Sequence, residues 1–99
     1  MSVQTIQDPS QVFEAIQSGK PTIIHYWDPN FGPESPIAPI LQNEAENRQD
    51  IDFYIVDSGF IAPPHSKGDL PLTVFYVGGN VADEAPFDPS QVESLLQRI

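Results

Sequence analysis

Thr22-Ile23-Ile24-His25-Tyr26-Trp27 and, after a turn-rich interval, Ile37-Ala38-Pro39-Ile40-Leu41 are the two runs whose reading decides the fold. The first is β-branched and aromatic with no clean polar alternation, the pattern of a strand covered on both faces and therefore central in its sheet. The interval Asp28-Pro29-Asn30-Phe31-Gly32-Pro33-Glu34-Ser35-Pro36 is rich in turn formers and ends that strand. Ile37, Ile40, Leu41 and Ala45 then recur at helical spacing and predict a helix from Ile37 to Arg48. Pro39 removes an amide from its ladder and predicts a kink near the helix start.

Upstream, Val3 to Ile6 reads as a short strand, followed by Asp8-Pro9-Ser10-Gln11-Val12. Asp8 suits an N-cap, where its carboxylate accepts a free amide, and Pro9 suits the first helical position, where no amide is missed. Val12, Phe13 and Ile16 give the helix an apolar stripe and Gly19 its stop. Downstream, Ile51 to Asp57 forms a strand in which Ile51, Phe53 and Ile55 alternate with Asp52 and Tyr54. Leu72 to Val77 and Val81 to Glu84 flank Gly78-Gly79-Asn80, which predicts an antiparallel hairpin. The closing segment repeats Asp-Pro-Ser-Gln-Val at 88–92, read as the same local way of starting a helix rather than as a duplication. Val92, Leu95, Leu96 and Ile99 share one face of that helix, with Glu93 and Arg98 turned away. The order of elements predicts an α/β fold: a single domain over residues 1–99 with a central mixed β-sheet flanked by helices on both faces.

Composition limits what such a domain does. Hydrophobic residues make up 39% of the 99 and charged ones 18%, enough apolar material to bury a core. Four Lys and Arg against fourteen Asp and Glu give a formal charge of −10, a field that repels nucleic acid and anionic membrane surfaces. No apolar run approaches the length a spanning helix needs, and Met1 to Gly19 lacks a basic start followed by an apolar stretch, so a cytoplasmic protein is expected. The chain contains no cysteine. A disulfide, a thiolate metal site and a thiol nucleophile built from its own residues are therefore excluded.

With Lys20-Pro21-Thr22-Ile23-Ile24 leading into the central strand, Trp27 near its end, Gly32-Pro33, Ile37-Ala38-Pro39-Ile40-Leu41 and Leu70-Pro71-Leu72-Thr73 before the hairpin, the chain resembles the thioredoxin family over nearly its full length. The resemblance implies the thioredoxin fold, with Pro71 as the proline that the family holds in the cis form beside its active site. The family's active site reads Cys-Gly-Pro-Cys, and the matching segment here is Phe31-Gly32-Pro33-Glu34. Phe31 stands where the attacking thiolate would be, Glu34 where the resolving cysteine would be, and His25 where the family keeps a buried acid that helps move protons. The connection 58–69 also departs from the family, because Pro63-Pro64 breaks the helix usual there.

These substitutions leave a binding role as the expected function. Trp27, Asn30, Phe31, Gly32, Pro33, Glu34, Phe60, Leu70 and Pro71 mark the surface around the former active-site loop, suited to a protein or peptide partner or to self-association. Glu34 alternatively caps the following helix, and Phe31 alternatively folds back into the groove. His25 is read as a buried histidine satisfied by a neighbouring hydroxyl or carbonyl. A metal held by His25 with His65, Asp57 or Glu34 has no fixed-spacing motif behind it. Acid-base chemistry by Glu34 or His25, and a hydrolytic set drawn from Ser35 or Ser58, His25 or His65, and Asp57, lack any supporting motif. No catalytic residue, metal or cofactor is assigned.

Overall fold

The computed structural model describes residues 3–27, 32, 35–57, 72–86 and 88–99. Its strands are β1 (Gln4–Ile6), β2 (Thr22–Trp27), β3 (Asp52–Asp57), β4 (Leu72–Val77) and β5 (Asn80–Pro86), and its helices α1 (Pro9–Gln17), α2 (Ala38–Asn47) and α3 (Pro89–Arg98). The sheet runs in the order β1-β3-β2-β4-β5, so β2 occupies the middle. β1 and β2 pair parallel with β3, whereas β4 pairs antiparallel with β2 and β5. Every residue of β2 is buried, which is why its sequence lacks the alternation of a half-exposed strand.

Side chains alternating from β2 feed two cores. Ile24 and Tyr26 join Val56, Leu72, Val74 and Tyr76 beneath Val12, Ala15 and Ile16 of α1. Ile23 points the other way and meets Phe53 with Leu41 and Ala45 of α2 and Val92, Leu95 and Leu96 of α3. Helices therefore cover both faces of a mixed sheet, as the sequence predicts. On the α1 side the phenol hydroxyls of Tyr26 and Tyr76 share a hydrogen bond of 2.9 Å. Burial raises both phenols, Tyr76 to about 12 and Tyr26 further, so the pair stays neutral.

The two Asp-Pro-Ser starts behave alike. Asp8 Oδ1 accepts the Ser10 amide at 2.9 Å, and Asp88 Oδ1 accepts the Ser90 amide at the same distance. Both carboxyls are held below the usual range by these bonds to the backbone and hydroxyl of Ser10 and Ser90. The hairpin closes through Gly78 (φ 62°) and Gly79 (φ 86°), with Val77 opposite Asn80. Left-handed angles at two successive residues define the tight turn whose twist suits a hairpin, and glycine reaches them without strain.

Three local expectations are corrected. Phe13 is 49% exposed, because Ala15 rather than Phe13 completes the buried stripe of α1 with Val12 and Ile16. α2 opens one residue later than predicted, at Ala38, which places Pro39 in the first turn. Amides there have no partner within the helix, so Pro39 breaks no bond of the ladder and the reason for a kink disappears. β5 reaches Pro86, and its pairing shifts between Phe75 and Tyr76, leaving Ala82 as an extra residue between Val81 and Asp83. The expected irregular connection at 58–69 lies outside the described residues.

Docking of α3 rests on Leu95, which is fully buried. Leu95→Ala should lower the free energy of unfolding by about 3 kcal/mol in urea titrations, whereas Val77→Ala, at an exposed strand end, should change it by less than about 0.5 kcal/mol.

Candidate functional site

The end of β2 sets the geometry of the site. His25, at its centre, is fully buried on the α2–α3 side, directly opposite Thr73 of β4 and beside Ile55 of β3. Its Nδ1 lies 2.9 Å from Thr73 Oγ1 and its Nε2 lies 2.7 Å from Ser35 Oγ. Ser35 precedes α2, and its Oγ accepts the Ile37 amide at 3.1 Å, so the hydroxyl also closes the turn from which the helix starts. Every group is satisfied when Ser35 donates its proton to Nε2 and Nδ1–H donates to Thr73, an assignment made from the network rather than from visible hydrogens.

Two residues on, Trp27 is buried and its indole N–H donates to the Gly32 carbonyl at 3.1 Å. The His25 and Trp27 rings stack with centroids 6.2 Å apart. Gly32 has φ 148°, an angle that side chains rarely adopt, while a Cβ there would meet Trp27 Cζ2 only at an ordinary 3.8 Å. Backbone angle, not space, is the reason for glycine.

No carboxylate offsets a charge on His25 among its hydrogen-bond partners. Burial is therefore decisive and lowers its pKa from 6.5 to about 4, although the Leu72 carbonyl partly opposes the shift. The imidazole is neutral at physiological pH. It is also a poor general base there, since both nitrogens are engaged and a basicity so far below neutrality gives little driving force for proton uptake.

The histidine reading is thus realised with two hydroxyls, one of which, Thr73, has no counterpart in the sequence-based reading. The antiparallel pairing of Leu72-Thr73 with Tyr26-His25 is the signal that finds it, and that pairing belongs to the sheet rather than to either segment. The structure does bring Ser35 and His25 within hydrogen-bonding distance. Thr73 supplies the third contact where a hydrolytic triad has a carboxylate, and Ser35 is only 6% exposed with its oxygen already accepting an amide. Asp57 ends β3 opposite Trp27, not His25, and its side chain is outside the described set. No cluster of metal-ligating side chains occurs among the described residues. Of the expected binding surface, Trp27 and Gly32 are described, and Trp27 is buried, so it supports rather than presents contact area. Asn30, Phe31, Pro33, Glu34, Phe60, Leu70 and Pro71 lie outside the described residues, as do Ser58 and His65.

Removing the Ser35 hydroxyl leaves buried polar groups without a partner, so Ser35→Ala should cost about 1–3 kcal/mol of stability in chemical denaturation. His25 also gives the folding equilibrium a pH dependence. The unfolded ring takes up a proton near 6.5 and the folded ring near 4, so between these values the unfolded state holds more protons and stability rises with pH. Its contribution is complete above about 6.5 and falls by about 3 kcal/mol as the pH drops to about 4. Denaturation across this range should show the slope, and His25→Gln should flatten it.

Solved structures similar to this one include several thioredoxins. Malassezia sympodialis thioredoxin superposes with a TM-score of 0.80 at 25% identity, covering 98% of this chain and 90% of that one. The oxidised thioredoxin of Plasmodium falciparum gives 0.83 at 19% identity, covering 98% and 97%. Spinach chloroplast thioredoxin F gives 0.79 at 18% identity, covering 99% and 84%. No protein-family model matches the chain, and no curated protein matches it in sequence. Sheet order, helix placement and these superpositions agree: the chain is a thioredoxin-like protein with the thioredoxin fold and no cysteine with which to perform thiol-disulfide exchange.

Proposed function

We propose that this protein is a redox-inactive binding module that holds a protein or peptide with the surface around the loop between β2 and α2. The observation that carries the reading is the pair of side-chain ties from β2: Trp27 holds Gly32 and His25 holds Ser35. They fix residues 32 and 35 of an interval that has no thiol, and the tie to Ser35 is made by a neutral imidazole engaged at both nitrogens. Fixed anchor points at Gly32 and Ser35, in an interval without a thiol, suit recognition, because preorganised contacts lose less entropy on binding. Within this reading Phe31, Pro33, Glu34, Asn30, Phe60, Leu70 and Pro71 contact the partner, no catalytic residue or cofactor takes part, and the protein acts in the cytoplasm. Satisfaction of His25 on both nitrogens weighs against the alternative of acid-base or metal chemistry at this position.

Two measurements test it. With dithiothreitol as electron donor, the pure chain should show no disulfide reduction above the uncatalysed rate, and turnover would sink the claim of redox inactivity. A partner identified by affinity capture should bind Phe31→Ser at least about tenfold more weakly than the parent, with the thermal midpoint unchanged. Unaltered affinity for every captured partner would show that this loop is not the recognition surface.

A further inference from the structure

A second surface lies between α2 and α3. α2 and α3 leave an open groove of about 550 Å3, with Pro39 and Ile40 supplying apolar surface above the buried Leu96, Glu44 on one wall and Glu93 on the other, and Asn43 and Gln97 adding amides. Among the described residues Lys20 is engaged by Asp52 at 3.0 Å, Arg98 by Asp83 at 2.8 Å, and Arg48 by Asp50 at 3.7 Å and the carbonyls of Leu96 and Ile99. Neither Glu44 nor Glu93 has an ion-pair partner among the described residues.

We propose that this groove docks a cationic amphipathic helix of a partner protein, its aliphatic residues against Pro39 and Ile40 and its Lys or Arg side chains reaching Glu44 and Glu93. Two antiparallel or parallel helix ridges form a natural seat for a third helix. Carboxylates on opposite walls favour positive charge on both edges of the ligand's apolar stripe, and the net charge of −10 steers a basic segment inward. The same charge argues against a second copy of this chain as the occupant, since like-charged surfaces repel and the described cations are already committed to carboxylates. This site is independent of the loop surface, so either can fail without the other.

The test is titration of the isotopically labelled full chain with a synthetic amphipathic helix of leucine and lysine, followed by amide NMR shifts. Saturable shifts should concentrate at residues 39–44 and 93–97, and the variant carrying Glu44→Lys with Glu93→Lys should bind about tenfold more weakly. Glu14→Lys, a charge reversal on the exposed side of α1, should lose far less, and a peptide with glutamate in place of every lysine should not bind. Equal losses from Glu14→Lys, or shifts spread evenly over the acidic surface, would reduce the groove to bulk electrostatics and overturn the proposal. Shifts confined to the loop and to the segment 58–71 would overturn it in favour of the loop surface.

Discussion

A neutral imidazole at the middle of the central strand joins three segments that the chain encodes far apart. His25 is on β2, Thr73 on β4, and Ser35 at the turn that launches α2, with hydrogen bonds of 2.9 and 2.7 Å holding them together. The arrangement depends on the ring remaining uncharged, because its burial offers hydroxyls and a carbonyl but no carboxylate partner. The end of β2 is built around that constraint. The strand is sealed on both faces, the turn before α2 is fixed by the same serine, and Trp27 holds Gly32 two residues further along.

The sheet explains why such a network is tolerated. β2 sits between β3 and β4, so its backbone groups are paired on both edges and its side chains enter two separate cores. Polar side chains survive there only where partners are supplied, and both cores solve the problem in the same manner. Tyr26 meets Tyr76 on the α1 side while His25 meets Ser35 and Thr73 on the other. No buried side-chain nitrogen or oxygen among the described residues lacks a partner. Hydrogen bonds of this kind contribute little net stability when made and cost far more when broken, so they specify the packing more than they drive it.

Most of the architecture was legible because local signals agreed with tertiary ones. Asp-Pro-Ser at 8–10 and 88–90 starts a helix by the same carboxylate-to-amide bond on opposite faces of the sheet, and Gly78-Gly79 fixes its hairpin without help from elsewhere. Errors arose where periodicity was ambiguous. Phe13 and Ala15 each fit a helical stripe beside Val12 and Ile16, and only the direction from which α1 meets the sheet selects alanine for the interior. Pro39 makes a related point: at the second position of α2 its missing amide has no partner within the helix to lose, so a proline in a helical pattern does not by itself predict a kink. Within the site, the burial and satisfaction of His25 were legible from its strand, but the identity of Thr73 required knowing that β4 lies antiparallel beside β2.

The lack of thiol chemistry is accompanied by a neutral ring in the buried central strand. Cysteine introduced into the interval before α2 would add a thiol, yet the buried ring of β2 would still be an imidazole near pKa 4, a poor proton carrier at neutral pH. Replacing His25 by aspartate in turn would set a carboxylate between hydroxyls arranged for a ring with two nitrogens, 2.9 and 2.7 Å away on opposite sides. A shorter side chain cannot span both contacts, so one of Ser35 and Thr73 would lose its partner and the turn before α2 would lose its anchor. The ring, its two hydroxyl partners and the start of α2 are therefore matched to one another, and the match requires an uncharged imidazole.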